Sequence, residues 1–102
     1  MLHVVFYEPV ADVLTHAATH FPAHSAWVDE FAARGDLLMV GTFEDPQRDG
    51  SLSVFSTREA ADAFVAGDPF VANGVVARVE IRGWNEVLTT APACVDGVLR
   101  RS

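Results

Sequence analysis

Four short apolar runs are separated by two helical stretches, in the order strand, helix, strand, strand, helix, strand. That order restricts the fold more than any other feature of the chain. The first run, Leu2 to Tyr7, is rich in Val and aromatic residues and is closed by Glu8-Pro9, so it reads as a buried strand rather than a helix. Val10 to Arg34 is helical in pattern. Pro22 interrupts it and fits best as an early helical position, because proline has no N–H for an interior turn. Beyond Pro22, the residues Ala23, Trp27, Phe31 and Ala32 fall on one face, with Asp29, Glu30 and Arg34 toward the outside, and Gly35 supplies a stop.

Leu37 to Phe43 is a second strand-like run. The polar segment that follows contains Pro46 and ends in Asp49-Gly50, a hairpin signal, and Ser51 to Phe55 then alternates as a half-buried strand. Ser56 and Glu59 have capping-box spacing ahead of Ala60, Ala61, Phe64 and Val65, a second amphipathic helix that Gly67 ends. Asp68-Pro69-Phe70 opens a turn or one-turn helix closed by Asn73-Gly74. Val75 to Trp84 alternates as a fourth strand, with Val75, Ala77, Val79, Ile81 and Gly83 on one side.

A β-α-β-β-α-β chain folds as a ferredoxin-like α+β domain, a four-stranded antiparallel sheet with two helices on one face. Its length of 102 residues suits a single core. Two helices cover only one face of such a sheet, and these strands are too apolar for the other to stay wet. The expectation is therefore a homodimer of the dimeric α/β barrel type, in which two sheets meet. The domain is expected over residues 1–88. Residues 89–102, mixed in Thr, Ala, Pro and Gly and ending Arg100-Arg101-Ser102, form a tail or a dimer arm.

Composition excludes several function classes. The formal charge is -7, there is no Lys, and no basic stripe exists to hold a phosphate backbone, so no nucleic-acid partner is expected. The single cysteine, Cys94, permits no intrachain disulfide, has no basic pattern around it that would make it a nucleophile, and fits a reducing compartment. No run reaches the roughly 18–20 apolar residues of a membrane span, and Met1 to Tyr7 lacks the basic start of a leader. A cytoplasmic protein without a membrane partner is expected. No Gly-rich phosphate loop, Ser nucleophile motif or flavin signature is visible, and no cofactor is expected.

Three groups of residues resemble the YciI-like family. The first is Pro22-Ala23-His24 followed by Gly35-Asp36-Leu37-Leu38 and Gly41. The second is Ala60-Ala61 with Phe64. The third is Asp68-Pro69-Phe70, then Gly74 and the strand ending at Trp84. The resemblance covers roughly Met1 to Leu88, and the order and spacing of the motifs are more specific than any one of them. It implies a dimeric ferredoxin-like fold with a His and an Asp paired in a pocket, which here are His24 and Asp68. Most members have no known reaction, and one type removes chloride from a hydroxylated aromatic ring. Members often carry Arg before the Pro-Ala-His segment and Pro after Gly41, whereas this chain has Phe21 and Thr42. An Arg there would clamp an anion, so its place passes to Arg78 and Arg82 on the last strand, or the substrate is not acidic.

The chemistry implied for the pair is general acid–base catalysis of lyase or isomerase type on a small molecule. A carboxylate beside an imidazole fixes its tautomer and stabilises its charged form. Phe70, Arg78 and Arg82 are the candidate substrate-binding residues. Asp68 ahead of Pro69 is equally a good helix N-cap, and both roles are compatible. His16, His20 and His24 are four apart, a spacing that can bind zinc, but Pro22 interrupts the set and no Cys or carboxylate completes it, so no metal is expected. Tyr7, Phe70 and Trp84 could line a pocket, with core packing the simpler reading for them. Two rivals remain open: a non-catalytic module that binds a small ligand in the same pocket, and a structural dimer that serves another protein.

Overall fold

The computed structural model describes residues 1–90. It contains β1 (Leu2–Pro9), α1 (Val13–Arg34), β2 (Leu37–Thr42), α2 (Pro46–Asp49), β3 (Ser51–Phe55), α3 (Arg58–Gly67), α4 (Pro69–Ala72) and β4 (Val76–Trp84). The four strands form one antiparallel sheet in the order β2-β3-β1-β4. This is the ferredoxin-like α+β arrangement, with two one-turn helices added to the bare β-α-β-β-α-β order. The expectations for Cys94 and for most of the tail fall on residues 91–102, outside the described residues.

Antiparallel partners share a face of the sheet, so the register sorts the side chains. Val5 pairs with Ser53 and Ile81, Tyr7 with Val79, and Leu37 with Phe55. This face meets α1 and α3. Its core is Val5, Tyr7, Leu37 and Phe55 from the sheet, Phe31 from α1, and Ala60, Ala61 and Phe64 from α3. Phe31, Phe55 and Phe64 meet at ring-centroid distances of 5.0–6.4 Å, with Phe31 edge-on to both others. Burial of each such ring contributes roughly 1.5–3 kcal/mol. The opposite face carries Leu2, Val4, Phe6, Met39, Leu52, Val54 and Trp84 beside Arg78, Glu80 and Arg82. No core helix residue packs there, and Met39 and Trp84 are exposed.

Several local expectations need correction. Pro22 lies inside α1, which runs unbroken for 22 residues. The carbonyl left without its proline N–H partner is that of Ala18, and both residues are exposed, so water can satisfy it. The inward face of this helix is His24, Trp27, Val28 and Phe31, while Ala23 and Ala32 are exposed. β2 and β3 pair antiparallel, as the hairpin signal implies, but their connection holds a one-turn helix. Asp45-Pro46 starts the one-turn α2, and Gly50 ends it at φ 78°, ψ -144°. A Cβ on Gly50 would lie 1.9 Å from the Tyr7 carbonyl oxygen, which explains the glycine. Thr57, not Ser56, caps α3, accepting from Ala60 N at 3.1 Å, and Ser56 turns instead to Asp36. On β4, a bulge opposite Glu8-Pro9 shifts the alternation, so Val76 rather than Ala77 packs on the core with Val79 and Ile81.

The N-terminus of α1 is capped from a distance. Asp12 has φ 56° and makes no side-chain cap. The Gln47 side chain of α2 accepts from Val13 N and donates to the Val10 carbonyl, at 2.8 and 2.9 Å. A remote amide therefore satisfies one of the N–H groups that every helix start leaves open.

Candidate functional site

The site is assembled where α4 meets α1 above the end of β1. Asp68 precedes Pro69 and has extended backbone angles, as a residue before proline prefers. Its side chain turns back over α4 and Oδ1 accepts from Phe70 N at 2.9 Å. The N-cap expectation therefore holds. Asp68 is also fully buried, at 0% exposure, and a buried carboxylate needs every available donor. Tyr7 Oη donates to Oδ2 at 2.8 Å, and His24 Nδ1 lies 2.8 Å from Oδ1.

This arrangement assigns the imidazole proton. An ionised carboxylate has no proton to give, so Asp68 Oδ1, which also accepts from Phe70 N, acts as an acceptor toward His24 as well. Nδ1 must then carry the proton and donate. Nε2 has no hydrogen-bonding partner among the described residues, yet is not a buried, unpartnered atom, so it reaches solvent. The His24 ring lies flat on Phe70, with centroids 3.8 Å apart and planes 6° apart. Phe21, itself exposed, stands 6.5 Å from the imidazole centroid. Burial, followed by the adjacent Asp68 charge and the hydrogen bond to it, pushes the Tyr7 phenol far above its ordinary range. Tyr7 therefore stays a neutral donor.

One turn along α1, Trp27 Nε1 donates to the Phe64 carbonyl at 2.9 Å. Its ring lies against Gly67, where a Cβ would come within 2.4 Å of Trp27 Cζ2. That close approach sets the spacing of α1 and the end of α3, and hence of His24 and Asp68.

The structure thus brings His24, Asp68 and Phe70 together. Arg78 and Arg82 do not join them within one chain. They pair across the ladder with Glu8 and Val4, on the sheet face opposite Tyr7. Arg78 binds Glu8 at 2.8 Å and Arg82 lies 4.0 Å from Glu80. Strand alternation is the cause: odd-numbered β4 residues beyond the bulge face the helices, and both arginines are even-numbered. Trp84 also lies on that far face. Tyr7 joins the cluster although its place in an apolar strand reads as core packing. Its one signal is an aromatic hydroxyl at the inward end of an otherwise apolar strand, since a buried phenol needs an acceptor. Among the described residues no group of three or more His, Cys, Asp or Glu is placed to hold a metal ion. No helix among them is long and apolar enough to cross a membrane.

Fold and site together define a small ferredoxin-like α+β domain with a hydrogen-bonded His, Asp and Tyr cluster between helix and sheet. The YCII-related domain family matches residues 1–85, and the chain belongs to that family. It is 31% identical to protein YciI of Escherichia coli O6:H1 (strain CFT073), covering 85% of this chain and 99% of the relative, and equally so to protein YciI of Shigella flexneri. The fold is similar to that of 5-chloro-2-hydroxyhydroquinone dehydrochlorinase (TftG) from Burkholderia phenoliruptrix AC1100, solved in complex with 2,5-dihydroxybenzoquinone. The TM-score is 0.65 and the identity 21%, over 83% of this chain and 94% of that one. An antibiotic biosynthesis monooxygenase structure matches with TM-score 0.55 and 16% identity, over 86% of this chain and all of that one.

Proposed function

We propose that this YciI-like chain is a small-molecule enzyme of lyase or isomerase type, with His24 as general acid/base and Asp68 as its partner. The observation that carries the reading is the 2.8 Å contact of His24 Nδ1 with Asp68 Oδ1, an oxygen that also accepts from Phe70 N; a proton on Nδ1 then leaves the solvent-facing Nε2 as the basic atom. Nε2 takes a proton from an acidic C–H or O–H of the substrate. The imidazolium so formed is stabilised by the Asp68 carboxylate. The proton then returns to a different atom in an isomerisation, or the electron pair expels a leaving group in an elimination. The dehydrochlorination in the name of TftG is an elimination of this class. Phe70 and Phe21 flank the imidazole with apolar surface, which suits a flat substrate. The five described arginines all lie within 4.0 Å of carboxylates of the chain itself, which favours an uncharged one.

In this reading a second copy covers the apolar sheet face around Met39, Leu52 and Trp84, and the homodimer works in the cytoplasm. The test of the chemistry is exchange of acidic protons in deuterated water. A panel of hydroxylated aromatic rings and enolisable carbonyl compounds is followed by NMR with wild type and His24→Ala. Accelerated exchange or elimination with wild type alone is expected. Equal rates for the two proteins would remove His24 from the mechanism. No acceleration of any compound by either would favour a binding module.

A further inference from the structure

We propose that Tyr7 is a positioning residue of this site: its phenol anchors the Asp68 carboxylate, so that Oδ1 holds the His24 proton on Nδ1 and Nε2 stays bare. The proposal rests on the reading of His24 as a base. Its ground is a closed set of contacts. Asp68 is buried and its two oxygens have three donors, Phe70 N and His24 Nδ1 on Oδ1 and Tyr7 Oη on Oδ2. Two of these come from the helical layer. Tyr7 alone comes from the sheet, and among the described residues its phenol makes the one hydrogen bond that ties the His24–Asp68 pair to a strand.

The carboxylate can rotate about its Cβ–Cγ bond unless both oxygens are held. Phe70 N holds one. Without Tyr7 Oη, the other becomes a buried charged oxygen with no partner, and rotation or protonation relieves it. Rotation takes Oδ1 away as a dedicated acceptor, and protonation of Oδ2 removes the negative charge that holds the proton on Nδ1; in both cases the imidazole proton is free to move to Nε2, where it blocks the base. Tyr7 is itself fixed. Its ring belongs to the core cluster, and its carbonyl is packed against Gly50. The phenol remains protonated because burial and the Asp68 charge both oppose its ionisation.

The test uses the full chain labelled with 15N-histidine, as wild type, Tyr7→Phe and Asp68→Asn, at a pH where the His24 ring is neutral. Imidazole NMR reads which nitrogen bears the proton and how fast the Nδ1 proton exchanges with water. Wild type is expected to hold it on Nδ1, and Tyr7→Phe to raise its exchange rate about tenfold and populate the Nε2–H form. Exchange and tautomer unchanged in Tyr7→Phe but altered in Asp68→Asn would overturn the positioning role and leave the base intact. No change in either variant would overturn both. A second probe avoids any folding defect. Tyr7 is the chain's only tyrosine, so 3-fluorotyrosine labels it alone. Its 19F signal is expected to step when His24 titrates and to lose that step in His24→Gln, and a step that persists in His24→Gln would overturn the link.

Discussion

The two one-turn helices, α2 and α4, begin with the same dipeptide and end in different roles. Each starts with Asp-Pro, places proline at its first position, and uses the aspartate to accept from a backbone N–H of its own turn. At α2 that bond is 3.3 Å long and Asp45 is exposed. At α4 it is 2.9 Å, Asp68 is buried, and the same carboxylate also receives Tyr7 and His24. Local chemistry makes an Asp-Pro turn a cap. Surroundings alone make one of the two caps the centre of a buried hydrogen-bonded cluster.

The largest expected effect tests how these turns end. Gly50→Ala puts a Cβ 1.9 Å from the Tyr7 carbonyl at φ 78°, ψ -144°. It is expected to cost about 3 kcal/mol or more. Gly74 follows α4 at φ 73°, and a Cβ there would meet nothing within 4 Å, so Gly74→Ala is expected to cost about 1 kcal/mol. Urea unfolding separates the two, and equal losses would show that Gly50 is not wedged against β1.

The starts of the turns come next, and their ranking reverses. Asp68→Ala leaves the Tyr7 hydroxyl without its buried acceptor and removes the partners of Phe70 N and His24, at an expected cost of roughly 3 kcal/mol. Asp45→Ala loses one exposed cap, about 1 kcal/mol. Thermal unfolding of both variants is the check. Comparable shifts would mean that Asp68 is only a cap.

The two turns also differ in their response to pH. The Tyr7 phenol beside α4 is held above its ordinary value in the folded chain. Unfolded Tyr ionises at about pH 10. Above that pH the unfolded state has lost a proton that the folded state keeps, so stability falls with rising pH, by up to about 1.4 kcal/mol per unit. Tyr7→Phe is expected to flatten that slope in alkaline unfolding curves. At α2 the Arg48 side chain, hydrogen-bonded to Asp49, holds that carboxyl below its ordinary value. Both side chains are in water, so the contribution to stability is small and screened. Arg48→Gln is expected to raise the Asp49 titration midpoint by NMR and leave the unfolding midpoint unmoved.

Much of this was legible residue by residue. Apolar runs bounded by Glu8-Pro9, Gly35 and Asn73-Gly74 mark out the large elements. His24 and Asp68 follow from the family resemblance, and Asp68 also from its proline. The errors share a cause. Pro22 is tolerated because its turn faces water. Ser56 loses the cap to Thr57, whose extended backbone places its oxygen over Ala60 N. The bulge opposite Pro9 inverts the parity only at the start of β4, where Val76 replaces Ala77 on the core, while Val79, Ile81, Arg78 and Arg82 keep the alternation read from the sequence. The exposure of the Pro22 turn, the turning of Ser56 toward Asp36 and the pairing of β4 with β1 are all set outside the local window.

By itself the sequence determined the class of fold, the positions of the strands and the two long helices, and the capping role of Asp68. These follow from periodicity, backbone preference and hydrogen bonds within a few residues. Only the tertiary structure decided that Tyr7, 61 residues from Asp68, closes the carboxylate's hydrogen bonds, and that Trp27 against Gly67 sets the separation of the two helices. The physical reason is that burial and long-range hydrogen bonds depend on which surfaces meet, and chain position does not encode that directly.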